Sequence, residues 1–195
     1  LYTYKGTIRN KPDQDDTWFF HLAKHHNVIF DIGANVGYTS LLAMIQNPNR
    51  EYLLVDPNPL ALEKAFCNLL NNNLGFKALY YSAFVSNKSN EEVKFYTLGS
   101  GAAGSMYASH AESAASIGVY KNVSTVSLDF LYNYFDMKPD LVKIDVEGAE
   151  TLVMEGTKIL AEETRCTFFI EMHKLEDLSI EKATEMMIDW SKEMN

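Results

Sequence analysis

The chain has 195 residues but only two cysteines, five prolines and no excess of basic side chains. Two cysteines cannot build the disulfide framework of a small secreted domain. Cys67 and Cys166 each lie in an otherwise apolar segment, so both are expected as buried thiols in a reducing, cytoplasmic compartment. With 17 Lys and Arg against 26 Asp and Glu, the formal net charge is -9. No dense basic patch is available to track a phosphate backbone, which argues against nucleic acid as a partner. No apolar run approaches the ~20 residues that span a bilayer, and no signal-peptide pattern opens the chain, so a soluble protein without a membrane span is expected. Internal repeats and low-complexity tracts are absent too. The hydrophobic content of 47% suffices for one core, and a single domain over residues 1–195 is expected, with 1–26 as a helical lead-in. The chain opens on Leu1 rather than Met, as expected of an excised domain or part of a longer polypeptide.

What is present is concentrated in VIFDIGANVGYTS, Val28 to Ser40. Val28, Ile29 and Phe30 form a continuous apolar run, the pattern of a central parallel strand buried on both faces. Gly33 and Gly37 then mark a sharp turn at the strand's C-terminal end. They are expected to let a ligand approach the backbone, while a helix starting near Val36 points its N–H groups at the same place. The loop is Gly33-Ala34-Asn35-Val36-Gly37 and lacks the G-x-G-x-x-G spacing of dinucleotide sites. It is preceded by Asp31, whose carboxylate would repel a pyrophosphate. A ligand bearing an ammonium and a sulfonium would be attracted instead, with its own carboxylate turned toward Tyr38 and Thr39 at the helix start.

Strand and helix patterns alternate from that loop onward. Strands are expected over 51–55, 77–85, 141–145 and 167–171, and helices over 59–72, 148–160 and 179–193. The helix at 59–72 carries apolar Leu60, Ala61, Phe66, Leu69 and Leu70. Asp15 and Asp16 open an amphipathic helix ahead of the first strand, and Asp129 is expected to cap a short helix running through Phe135. His21 and His25 are one helical turn apart; they suit either a metal or simply a helix C-terminus. Strand character at 91–98 and 123–128 flanks a Gly-, Ala- and Ser-rich stretch, 99–118. That insert reads either as a mobile cover over an acceptor site, with Ser105, Tyr107 and His110 as contacts, or as a segment without a role.

Three strand tips gather the chemistry. Asp56, in VDPNP, stands about 20 residues beyond the glycine turn, where an acid reaches a ribose diol in nucleoside-binding α/β folds. Ser82 and Ala83, small residues at the third strand's tip, suit a flat adenine ring. LVKIDVEGAE, from Leu141 to Glu150, then sets Asp145, Glu147 and Glu150 at the end of the fourth strand. Glu147 and Glu150 can be read as helix-capping acids; Asp145 fits that role less well.

The loop DIGANVG resembles motif I of S-adenosylmethionine (SAM) methyltransferases. Together with VDPNP, VSLDF and especially KIDVEGAE, in this order and spacing, the chain from about Val28 to His173 resembles the FkbM family of SAM-dependent methyltransferases. The resemblance implies a three-layer, Rossmann-like class I sandwich with a mostly parallel sheet. It also implies O-methylation, often of sugar or polyketide hydroxyls. Carried over by position, Asp31, Gly33, Ala34, Asn35, Gly37 and Thr39 belong to the cofactor loop, Asp56 to the ribose and Asp145 to the strand tip beside the transferred methyl. The class I sheet normally closes with a sixth and a seventh strand. Neither is legible before Asn195, so the terminal strands are expected to be missing from the sheet or to lie outside the chain.

Methyl transfer to a hydroxyl calls for positioning and for a base that takes the proton as the bond forms. Asp145, Glu147 and His173 are the candidates, with Asp145 and His173 acting together as the expected pair. A divalent metal on Asp145, Glu171 and His173 is the alternative route. Two other readings are a non-catalytic SAM-binding scaffold and a nicotinamide-dependent dehydrogenase; retention of Asp31, Asp56 and Asp145 opposes the first, and the glycine spacing opposes the second.

Overall fold

The computed structural model describes residues 14–98, 104–175 and 177–194. Five strands form a parallel central sheet: β1 (Val28–Ile32), β2 (Glu51–Val55), β3 (Ala78–Tyr81), β7 (Leu141–Ile144) and β8 (Thr167–Ile170), in the order β3-β2-β1-β7-β8. The order reverses at β1, so the segments leaving the paired strands β1 and β7 pass to opposite faces of the sheet and leave a crevice at its C-terminal edge, the usual ligand position in such sheets.

Side chains alternate across the sheet with period two and serve two separate cores. Phe30, Ile32, Leu53, Val55, Val142 and Ile144 meet one face's cluster, together with α5 (Leu128–Phe135), α6 (Glu150–Glu155) and α7 (Lys158–Thr164). Ile29, Tyr52, Leu54 and Leu141 meet the other, with α1 (Gln14–Ala23), α2 (Tyr38–Met44) and α3 (Pro59–Asn71). Helix α8 (Ile180–Glu193) begins at Ser179, whose hydroxyl accepts from the Lys182 amide, and packs Met187 and Trp190 on the first core. The result is the three-layer α/β architecture expected, with β8 at one edge of the central sheet and no further strand following it among the described residues. No helix among them is long and apolar enough to cross a membrane.

Several local expectations are corrected. The stretch read as one strand over 77–85 divides at Ser82 and Ala83. Its second part, β4 (Phe84–Val85), leaves the central sheet to pair with β6 (Tyr120–Val126), which in turn pairs antiparallel with β5 (Glu92–Tyr96). Residues 127–128 are not strand: Ser127 caps α5 by accepting from the Phe130 amide. Asp129 is therefore not that helix's cap. Its carboxylate accepts from the Leu160 amide at 2.9 Å and caps α7 instead. This interaction accompanies the division of the expected helix over 148–160 into α6 and α7, with the Gly156 carbonyl accepting from the Asp129 amide.

In α3 the inward face is Ala61, Leu62, Ala65, Asn68 and Leu69, whereas Leu60, Phe66 and Leu70 face outward. Cys67 shares that outward face and is exposed, contrary to expectation. Cys166 is half-buried, and burial pushes its thiol up to about 11. Within the expected insert, the described part contains a 3-10 turn (Ala108–His110) and α4 (Glu112–Ser116). Residues 99–103 and the His110 side chain lie outside what is described, as do residues 1–13 of the lead-in.

Candidate active site

The turn after β1 adopts left-handed backbone at Gly33, Asn35 and Gly37, with φ of 82°, 47° and 73°. The amides of Gly33 and Ala34 both donate to the Val55 carbonyl, at 2.9 and 3.0 Å, tying the turn to the end of β2. The space where each glycine lacks a side chain is filled by the protein itself. A Cβ on Gly33 would lie 1.7 Å from the Asp145 carbonyl oxygen, and one on Gly37 would lie 2.8 Å from the Ala65 Cβ. Gly33 thus lets the tips of β1 and β7 touch, and Gly37 lets α2 approach α3.

Asp31 is likewise turned inward. It is fully buried; its Oδ2 accepts from Ser40 at 2.7 Å and Thr39 at 2.9 Å, and its Oδ1 lies 3.4 Å from the Lys143 ammonium. The expectation that Asp31 faces a ligand's ammonium is replaced by an ion pair across β1 and β7, where Asp31 and Lys143 are register partners. Thr39 spends its hydroxyl on the same carboxylate. Burial opposes the Lys143 charge, but Asp31 and Asp145 outweigh it and hold its pKa above the ordinary lysine value.

Beside this pair lies an open cleft. Gly33, Asn35, Asp56, Ala83, Asp145 and Glu147 are among the residues that line it. Asp56 is nearly buried, accepting from the Asn35 amide at 2.9 Å through Oδ2 and from the Asn58 amide at 2.8 Å through Oδ1. Burial raises its carboxyl to about 6 even though these two amides pull the other way. A carboxylate oxygen has two acceptor sites, so each oxygen keeps one beyond its amide. The Asn35 Oδ1 is also buried with no hydrogen-bond partner among the described residues. Ala83 lines the cleft, but Ser82 is exposed and does not.

Past β7, Asp145 stands between two cationic side chains. Its Oδ2 accepts from Lys143 Nζ at 3.2 Å, and its Oδ1 lies 3.9 Å from His173 Nε2. The same Nε2 lies 3.5 Å from Glu147 and 3.9 Å from Glu171, while Nδ1 meets the buried Glu150 at 3.0 Å. The Glu150 hydrogen bond, working against burial and helped by the neighbouring acids, raises His173 to about 9. For Glu150, burial pushes upward, but His173 and the Gly148 amide hold it below the ordinary carboxyl value. The raised value favours the doubly protonated ring, a donor and a positive charge, over the base's role expected of His173 beside Asp145.

Ligand atoms of Asp145, Glu171 and His173 do lie within 4.8 Å of one another, the grouping foreseen for a metal. His21 and His25 join no such group among the described residues.

The insert contributes a strap rather than free acceptor contacts. Ser105 is fully buried, its hydroxyl donating to the Glu147 carbonyl at 2.7 Å and accepting from the Tyr107 amide at 3.0 Å. Backbone hydrogen bonds to Tyr96 at 2.9 and 3.2 Å fix it in place. Glu147, at φ 54°, is thereby held in the left-handed conformation beside His173. Tyr107 packs over Gly148, with its ring 3.3 Å from where a Cβ would stand.

Sequence reasoning assigned no role to Lys143. Its signal was a lysine inside an apolar strand, two residues before Asp145 and so on the same face.

The Methyltransferase FkbM domain family matches residues 31–195, most of the chain. The chain belongs to the FkbM methyltransferase family. Its fold is similar to that of a solved FkbM methyltransferase from Methylobacillus flagellatus KT, with a TM-score of 0.58 and 12% identity over 85% of this chain and 37% of that one. This FkbM chain thus spans little more than a third of that relative's length. A precorrin-6y C5,15-methyltransferase from Geobacter metallireducens GS-15 is similar at TM-score 0.52 and 15% identity, over 98% of this chain and 77% of that one. No curated protein matches the sequence.

Proposed function

We propose that this domain is a SAM-dependent O-methyltransferase whose acceptor is a hydroxyl of a small molecule or of a sugar or glycan. The observation that carries the reading is the shared cleft: Asp56 and the glycine turn line one part of it, and Asp145 and Glu147 another. When bound, SAM supplies an electrophilic methyl on a sulfonium.

The residues fit such a donor. Asp56 keeps one acceptor site on each oxygen, suited to the two hydroxyls of a ribose, and its amide bonds to Asn35 and Asn58 hold it in place. The unpartnered Asn35 Oδ1 offers an acceptor for an ammonium or hydroxyl of the same ligand. Gly33, Ala34 and Gly37 shape the turn, and Ala83 leaves the cleft wall flat for adenine. Asp31 and Thr39 act from behind by fixing the start of α2.

On the acceptor side, Asp145 is the general base. Asp145 would take the acceptor hydroxyl's proton through its carboxylate as that oxygen is methylated, the methyl and its sulfur leaving group being what bound SAM would supply. Full ionisation beforehand would cost on the order of 12 kcal/mol for a hydroxyl with the pKa of water, so transfer during bond formation is the economical course. Glu147 borders the same space. His173, protonated, orients these acids and carries no step as a base.

A panel of hydroxylated acceptors, read by S-adenosylhomocysteine release, tests the reading. Turnover with a polyol, sugar or phenol supports it; methylation confined to amines or carbons contradicts the O-methyl assignment.

A further inference from the structure

We propose that Lys143 is the positioning residue that aims Asp145 for proton removal, an inference that rests on the methyltransferase reading above. Lys143 sits in β7 directly opposite Asp31 in β1, two residues before Asp145, and almost nothing of it is exposed. Its ammonium is 3.4 Å from Asp31 Oδ1 and 3.2 Å from Asp145 Oδ2. The other oxygens have different duties. Asp31 Oδ2 is taken by Ser40 and Thr39 of α2, while Asp145, a residue lining the cleft, has its Oδ1 toward His173.

One buried cation therefore joins the helix that follows the donor loop to the acid on the acceptor side. Fold stability gives little reason to build it, because burying charges costs desolvation and an apolar residue of similar volume commonly serves as well. The geometry supplies a reason. His173 Nε2 lies 3.9 Å from the other oxygen, Oδ1. Without the Lys143 hydrogen bond, the Asp145 carboxylate loses the partner that fixes Oδ2 and would rotate toward His173, so that Oδ1 is no longer aimed at an acceptor hydroxyl. Lys143 holds Oδ2 and keeps the second oxygen aimed.

The test compares Lys143→Met and the double variant Lys143→Met/Asp31→Asn with the parent protein and with Asp31→Asn. The double variant removes one buried carboxylate with the ammonium, which keeps the protein foldable if Lys143→Met alone is not. Crystal structures, SAM affinity by calorimetry, and kcat and acceptor KM are measured. The expected result is an Asp145 carboxylate rotated onto His173 and kcat about 100-fold below the matched reference. SAM affinity and acceptor KM should stay within about threefold of that reference. An unmoved Asp145 with undiminished kcat would overturn the proposal, as would lowered thermal stability with unchanged kcat in the folded protein. Failure of the methyltransferase reading would look different: the parent itself would bind no SAM, and the Asp145 conformation in the variant structures would still decide what Lys143 positions.

Discussion

The Asp56 carboxylate accepts the backbone N–H of Asn35, 21 residues earlier in the chain, at 2.9 Å. The tip of β2 thereby fixes the turn that follows β1, and one acid serves both the loop and the ligand it would hold. Replacing it with Asn leaves its size but removes the charge. Asp56→Asn is expected to weaken SAM binding by about 10- to 100-fold, the scale of one or two charge-assisted hydrogen bonds. Calorimetry checks this.

The same residue predicts a pH dependence. Burial raises its carboxyl from 3.8 to about 6, so the ionised form that would accept both ribose hydroxyls is lost as pH falls through 6. SAM affinity should therefore drop between pH 7.5 and pH 5 in the parent and change much less in Asp56→Asn. The raised value also means that folding stability contributed by the protonated form is present below 3.8 and lost as pH rises through 6.

Gly33 is fixed by two conditions at once, a φ of 82° and the Asp145 carbonyl lying where a Cβ would go. Gly33→Ala should push β1 and β7 apart and cost about 3 kcal/mol or more. Thermal unfolding measures it, and an unchanged Tm would show that the strand tips can separate freely.

Much of this was legible in the sequence, for local reasons. The apolar runs at Val28 and Leu141 depend on neighbours in the chain, and the alternation of strands and helices follows from such runs. What was not legible depends on strand order. Lys143 meets Asp31 only because β7 lies beside β1, and Gly33 meets Asp145 for the same reason. The capping of α7 by Asp129, 31 residues away, and the outward turn of Cys67 are likewise tertiary facts. His173 was expected as a base because its ordinary pKa is near neutrality; the buried Glu150 that raises it is 23 residues distant.

That imidazolium makes its own prediction. His173 rises from 6.5 to about 9 on folding, so the stability it contributes is complete below pH 6.5 and lost as pH climbs through 9. Chemical denaturation should show this decline between pH 7 and 9.5 in the parent. The decline should flatten in His173→Gln, and in Glu150→Gln the His173 titration, followed by NMR, should move to lower pH.

The central claim is that the cleft joining Asp56 to Asp145 binds SAM and delivers its methyl to a hydroxyl deprotonated by Asp145. Calorimetry and single-turnover kinetics on Asp145→Asn test it most directly. SAM affinity should stay within about threefold of the parent's, and the methyl-transfer rate should fall by about 10²- to 10⁴-fold. Turnover equal to the parent's would contradict it, and so would a parent protein that binds NAD tightly and SAM not at all.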